Sequence, residues 1–417
     1  MYQALIKLAL LVAVGLMWLG LGPPALAQSV GVIRLVNENR QVNYPSELVF
    51  EVTIEGDQKI SRVRLNYRIA GSRIWSYANA DFKADRRVTV KFNRLLDGSV
   101  YLPPGTGLDY FYAIRDVAGN TLETPGESFT YADNRFKWQK VQVGPLALHF
   151  HDLPSSQTAS IARDLTGPLA EIAQILELSK VRPIQGFIYN SHREATPAFP
   201  NLSQTITQQH VFQGFAFAEA GVFLGVGLQP GLIVHESAHL MLDQSLEPGG
   251  RQIPAWLDEG FASYIEPGSR PYSGRSLGFQ GPAVRGMSAI SGAPQDIEYF
   301  YLKAESVVAY LVEEFGVESF QQFLGELRQG SGVDQALEST YGFDTDGLEA
   351  NWADSEIGRS AAPPGRLSPV TPFLWFNSWF LGVLILLVMM VVLVRYVYRK
   401  LRPADDELFD WDDSPPY

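Results

Sequence analysis

Residues 231–244, GLIVHESAHLMLDQ, set the tightest condition on the fold. Two of the chain's six histidines, His235 and His239, stand four apart in an otherwise apolar run, and Glu236 follows the first. On a helix, positions i and i+4 share one face, so both imidazoles can reach one ion. A carboxylate, Glu259, follows His239 by twenty residues, inside PAWLDEGFASYIE. That segment reads as a second helix, near 255–265. Glu259 reaches the imidazoles if the second helix packs against the first, and His₂Glu is a known catalytic zinc set. The chain has no cysteine. This excludes a disulfide framework, a thiol nucleophile and a thiolate metal site, so any metal is held by nitrogen and oxygen.

His235-Glu236-Ser237-Ala238-His239 fits H-E-x-x-H. Packing alone can also place two histidines on a helix, and Glu259 in register is what favours the metal. Zinc with three protein ligands keeps a fourth position for water and lowers the pKa of that water toward ~7. Glu236 sits where it can take the proton as a carbonyl is attacked and pass it to the leaving amine.

HESAH followed by PAWLDEGFASYIE resembles the gluzincin metallopeptidases: the thermolysin-like and M1 aminopeptidase-like group, and especially the bacterial peptidase MA-like domains. The resemblance covers roughly residues 136–350 and is strongest over 231–266. It implies His235, His239 and Glu259 as zinc ligands and Glu236 as general base and acid. A weaker match, Tyr301-Leu-Lys-Ala-Glu-Ser-Val-Val-Ala-Tyr-Leu, resembles the segment that begins with the catalytic tyrosine of M1 enzymes. It implies Tyr301 as hydrogen-bond donor to the oxyanion, with Tyr299 two residues away as the other candidate. The Gly-x-Met-Glu-Asn stretch that holds a substrate amine in M1 aminopeptidases is missing. Glu219 in GFAFAEAGVF could stand in, with a surface role the plainer reading. An edge strand there would instead hold an extended peptide, which favours endopeptidase action.

Asp243 shares the ligand face and could orient an imidazole, or simply end the helix at the surface. Asp258 is expected to point elsewhere. His149, His151, His192 and His210 match no ligand spacing and read as structural. Arg270, Arg275 and Arg285 belong to a Gly/Ser/Pro-rich stretch, 267–295, that reads as a long loop and possible lid.

The ends set the topology. Residues 1–27 combine one Lys, an apolar core and Ala25-Leu26-Ala27, a signal-peptide pattern with a cleavage site. Residues 373–394, FLWFNSWFLGVLILLVMMVVLV, carry no charge and are long enough to span a bilayer core of about 30 Å as a helix. Arg395, Arg399, Lys400 and Arg402 follow, so the C-terminal end is expected in the cytoplasm. The tail from Pro403 holds six acids and no base. A net charge of −12 argues against nucleic acid as a partner.

Between the ends, VRLNYRIA, VTVKF and DYFYAIRD are short strands separated by turns such as Asp97-Gly98. They suggest an antiparallel β-sandwich, loosely similar to immunoglobulin or fibronectin domains. The expected organisation is multidomain: signal peptide 1–27, all-β Ig-like sandwich 28–135, α+β gluzincin-type metallopeptidase domain 136–353, stalk 354–372, single transmembrane helix 373–394, acidic cytoplasmic tail 395–417. The expected function is a membrane-anchored, type I, zinc-dependent peptidase acting on extracytoplasmic proteins or peptides by Glu-assisted attack of a zinc-bound water. The alternative is a cell-surface binding or adhesion protein with a catalytically silent peptidase-like domain.

Overall fold

The computed structural model describes residues 32–45, 47–93, 101–200, 213–249, 253–267, 281–290 and 294–361. The expected signal peptide, the Asp97-Gly98 turn, His210, Arg270, Arg275, the transmembrane run, the tail and the stalk beyond 361 lie outside them. Among the described residues no helix is long and apolar enough to cross a membrane.

The N-terminal part is β-rich. Strands β1 (Ile33–Asn43), β2 (Glu47–Ile69), β3 (Ser76–Asn79), β4 (Asp85–Phe92), β5 (Gly107–Asp116), β6 (Thr121–Glu123) and β7 (Glu127–Thr130) form one antiparallel sheet. Its spine is β2, twenty-three residues long. The first half of β2 pairs with β1 and β4, the second half with β3 and β5. Register shifts with β4 and β5 fall around Glu55–Arg62, where an irregularity lets a strand bend. The two halves share one core: Phe50 on the first meets Tyr110 of β5 at 4.9 Å, and Phe92 of β4 meets Tyr112 of β5 at 6.2 Å. Alternation along β4 and β5 supplies the buried face, Val88, Val90 and Phe92 against Leu108, Tyr110, Tyr112 and Ile114.

The second part is a five-stranded mixed sheet with helices. Its strands are β8 (Gln139–Val143), β9 (Leu146–Phe150), β10 (Ile184–Tyr189), β11 (Gly214–Phe217) and β12 (Val222–Val226), in the order β11-β12-β10-β9-β8. Pairing is parallel from β9 through β10 to β12, and β11 closes back antiparallel as the edge. Helix α1 (Ser155–Ile175) brings Ile161, Leu165, Leu169 and Ile172 into the core on its helical repeat, beside Leu146 and Leu148 of β9, Ile184 and Ile188 of β10, and Phe223 of β12. The short α2 (His192–Ala195) follows β10 on the other side of the sheet, where Ala195 packs with Phe187 and Tyr189.

The helix through His235 and His239 and the helix expected near 255–265 appear as α3 (Pro230–Leu246) and α4 (Ala255–Ile265), followed by α5 (Pro294–Phe315) and α6 (Val317–Arg328). Two more, α7 (Val333–Tyr341) and α8 (Thr345–Ala361), were not read from the sequence. Helix α8 takes in the start of the expected stalk, because 345–361 has no proline to stop it and Trp352 anchors it, its indole bonded to Ser306 at 2.9 Å.

The two parts meet around Phe187 and Tyr189, whose cluster also takes in Tyr44 from before β2. Tyr101 bonds the Ala198 carbonyl, and its ring lies 5.2 Å from Phe217 on β11. Gly105 has φ +99°, and a Cβ there would stand 2.2 Å from the Phe187 ring. The described residues up to Ile357 form one compact unit. Leu165 is fully buried beneath the mixed sheet. Leu165→Ala should cost about 2–5 kcal/mol in urea unfolding, the range for a buried leucine truncated in a core that cannot collapse.

Candidate active site

Helix α3 is buried on nearly every side, by Ile233, Val234, Ala238, Leu240, Met241 and Leu242. Such a helix holds position by packing, so the imidazoles on its one open stripe are rigidly presented. Helix α4 packs on it, with Trp256, Leu257 and Phe261 in the same core. The first amides of α4 are also tied: Ala255 donates to the Ser288 carbonyl and Trp256 to that of Met287.

This packing brings Glu259 to the histidines. Glu259 Oε2 lies 3.4 Å from His235 Nε2 and 3.5 Å from His239 Nε2. One donor atom from each of the three residues lies within 4.8 Å of the others. Glu259 Oε2 is buried and has no hydrogen-bond partner. A buried carboxylate oxygen without a hydrogen bond is costly, and a cation between it and two ring nitrogens would satisfy all three donor atoms. The donor set, two imidazoles and a carboxylate, suits a zinc ion.

The far sides of the rings are engaged as well. His239 Nδ1 lies 2.7 Å from Asp258 Oδ1, and His235 Nδ1 lies 3.6 Å from Glu266. A ring that gives its Nδ1–H to a carboxylate keeps the Nε2 lone pair for a metal. Asp258 was expected to point elsewhere, and the structure corrects this. The first turn of α4 runs beside His239, so the residue before Glu259 reaches the back of the ring. The signal was present in the sequence as two adjacent acids, but one helix alone does not show that both can serve one partner. Asp258, not Asp243, occupies His239 Nδ1; Asp243 lines the cavity one turn further on. Glu266, at the C-terminal end of α4, was missed.

Glu236 is buried beside the set and lines the same cavity of about 860 Å³. Strand β11 forms a wall of that cavity, through Gly214, Phe215 and Ala216. A Cβ on Gly214 would stand 2.3 Å from Glu236 Oε1, so the glycine makes room for the carboxylate. Tyr301, on α5, also lines the cavity, with its ring 6.4 Å from that of His235. Tyr299 is exposed at 38 % and does not line it. Glu219 is exposed outside the cavity.

Other candidates are accounted for by structure. His149 bonds Gln185 at 2.8 Å and stacks on Phe187, and His151 stacks on Phe136. Arg285 is held by Asp334, Asp344 and Asp346, which pins its loop segment to α7 and α8.

Electrostatics follow from burial and crowding. Desolvation pushes the Glu236 carboxyl up to about 7, against the pull of both imidazoles. Burial alone would depress His235, but Glu259 and Glu266 outweigh it and raise the imidazole to about 9. His239 is likewise buried, yet Asp258 and Glu259 hold it well above its ordinary value. Glu259 is desolvated too, and the two imidazoles overcome that to hold it well below the usual carboxylate range. Tyr301 is pushed up, first by burial, then by Glu259 and Glu236, so its hydroxyl keeps its proton.

These shifts have a sign. A folded-state pKa above the unfolded one gives stability that is present at low pH and lost as pH rises through the folded value. For His235 the window runs from 6.5 to about 9, and for Glu236 from 4.5 to about 7. The Glu259 shift acts in the opposite sense, below its ordinary value of 4.5. Metal-free protein should therefore melt at falling temperature between about pH 6 and 9. A bound metal needs deprotonated imidazoles, so the gain in Tm on adding zinc should grow over the same range. Equal pH slopes with zinc and with chelator would contradict the ligand set. Asp258→Ala should weaken zinc retention about 10–100-fold in chelator competition, with Asp258→Asn less affected.

Residues 166–357 match the Peptidase MA superfamily. No curated protein matches the chain. Among solved structures, an M1 zinc metallopeptidase from Deinococcus radiodurans is 14 % identical, covering 82 % of this chain and 95 % of that one with a TM-score of 0.33. An aminopeptidase N family protein from Idiomarina loihiensis is 10 % identical, covering 77 % and 74 %, with a TM-score of 0.33. A carbohydrate-binding module family 56 β-1,3-glucan-binding domain is 12 % identical, covering 22 % and 95 %, with a TM-score of 0.16. Likenesses this weak assign no function. The family match supports a gluzincin-like metallopeptidase domain, and His235, Glu236, His239, Glu259 and Tyr301 all fall within the matched span.

Proposed function

We propose that the chain is a membrane-anchored zinc peptidase that cleaves extracytoplasmic proteins or peptides. The observation that carries this reading is the buried Glu259 oxygen, without a hydrogen bond and facing two ring nitrogens, with Glu236 buried beside it in one cavity. Zinc held by His235, His239 and Glu259 would polarise a substrate carbonyl and acidify a water. Glu236 takes the proton from the attacking water. Its pKa, raised to about 7, suits a group that must accept a proton and then give it to the leaving nitrogen. A zinc ion would itself draw that pKa down, so the burial of Glu236 offsets a nearby cation. Tyr301 stays protonated at the cavity wall and donates to the oxyanion as charge develops. Asp258 and Glu266 fix the rings.

Endopeptidase action fits this cavity better than aminopeptidase action. Strand β11 is the edge of its sheet among the described residues and lines the cavity, so its backbone can pair with an extended peptide. Glu219 stands outside and does not hold a substrate amine. The Ig-like sandwich, the signal peptide, the transmembrane run at 373–394 and the cytoplasmic tail belong to the same reading, in which the site works outside the membrane and tethered to it.

The test uses the whole chain of 417 residues. Wild type and Glu236→Ala should each bind about one zinc per chain, and Glu236→Ala should lose about 10²–10⁴-fold in casein cleavage. Tyr301→Phe should lower kcat about 10²–10³-fold with little change in KM, as expected for an oxyanion donor. Absence of zinc from wild type would sink the site. Zinc without cleavage would favour the binding or adhesion protein.

A further inference from the structure

The β2–β3 hairpin is basic, aromatic and uncovered. Residues 58–80 contain Lys59, Arg62, Arg64, Arg68 and Arg73 and no acid, in a chain of net charge −12. At its tip Ile74 is 77 % exposed, the highest value for a large apolar side chain among the described residues, and Trp75 and Tyr77 follow at 41 % and 59 %. The cross-strand register sorts these groups by distance from the tip. Ile74 and Trp75 lie in the connection, Tyr77 pairs opposite Asn66, and Arg64 pairs opposite Asn79 further back.

The aromatic and basic groups are held in place. The Arg68 guanidinium lies 4.4 Å from the Trp75 ring centre and that of Arg64 lies 4.3 Å from Tyr77. Trp75 meets Phe111 of β5 edge-on at 5.1 Å. One carboxylate, Asp109, reaches this face from β5 and is bonded by Arg68 at 3.0 Å and Ser128 at 2.7 Å. Arg64 bonds a neutral amide, Asn79, and keeps its charge.

We propose that this hairpin docks on an anionic lipid bilayer. Ile74 enters the boundary between headgroups and acyl chains, Trp75 and Tyr77 lie at headgroup level, and the arginines behind them meet lipid phosphates. The combination selects this partner. A nucleic acid or other polyanion would satisfy the arginines and give Ile74 nothing. An apolar groove on a protein would take Ile74 and leave the positive charge unanswered. A bilayer with anionic headgroups answers both, and the arginine stems can lie along the apolar layer with their charges raised to the phosphates. Docking of this kind is independent of the peptidase chemistry.

Because the chain has no cysteine, Ile74→Cys in the full chain carries a single environment-sensitive fluorophore. The labelled protein is reconstituted in phosphatidylcholine vesicles with and without phosphatidylglycerol. The expected result is a blue shift, with quenching by brominated acyl chains, when phosphatidylglycerol is present. Both should be lost in pure phosphatidylcholine, in high salt, and in Arg64→Gln/Arg68→Gln/Arg73→Gln. A label on Val117→Cys, exposed at 59 %, should stay in water throughout. Unchanged far-UV circular dichroism and Tm show that the triple variant is folded; if it is not, the lipid and salt dependence of the unsubstituted arginines decides alone. A label at position 74 that remains in water in both vesicles overturns the proposal, as does an equal shift in pure phosphatidylcholine.

Discussion

The contact between α3 and α4 is what the rest of the mixed-sheet domain depends on. It brings a carboxylate and two imidazoles together on a half-buried cavity wall, where each is largely stripped of water. Left alone, the three resolve the conflict with protons, and the imidazoles hold theirs far above the ordinary range. A divalent cation resolves it better, since it satisfies all three donors at once and asks the imidazoles to be neutral. The surrounding helices act as a vice, because α3 has apolar neighbours on nearly every side and cannot roll to relieve the crowding.

Support for this contact reaches well beyond the donors. The loop segment 281–290 binds the first amides of α4 through Met287 and Ser288, and is itself held by Lys303 and Glu349. Lys303 donates to the Pro282 carbonyl at 2.9 Å and to Glu349 at 2.7 Å, while Glu349 also accepts from the Val284 amide at 2.8 Å. Arg285 ties the same segment to three aspartates. The helices C-terminal to the site thus brace the helix that carries Glu259.

Much of this was legible in the sequence, for identifiable reasons. Helix α3 and the reach of His235 and His239 follow from a four-residue spacing. The partnership with Glu259 follows from a segment whose apolar pattern demands a second buried helix. The strands around VTVKF and DYFYAIRD announce themselves by alternation. What stayed hidden depends on rotation between elements. Asp258 and Glu259 are adjacent, so a single-helix view sends them in different directions. Only the angle at which α4 crosses α3 lets the first meet the back of His239 while the second faces its front. The choice between Tyr301 and Tyr299 is likewise a question of which way α5 is turned. The long β2 spine escaped because a strand that bends and changes partners midway carries two patterns that look like separate strands.

The meeting of the β-rich sheet and the mixed sheet has a mechanical consequence. Tyr101 of the β-rich part leans on Phe217, at the end of the same strand whose other end, Gly214, stands against Glu236. Four residues of extended chain span the two contacts. A force that pulls the β-rich part sideways is therefore felt at Glu236 within one strand's length, and the β-rich part works as a lever on the cavity wall.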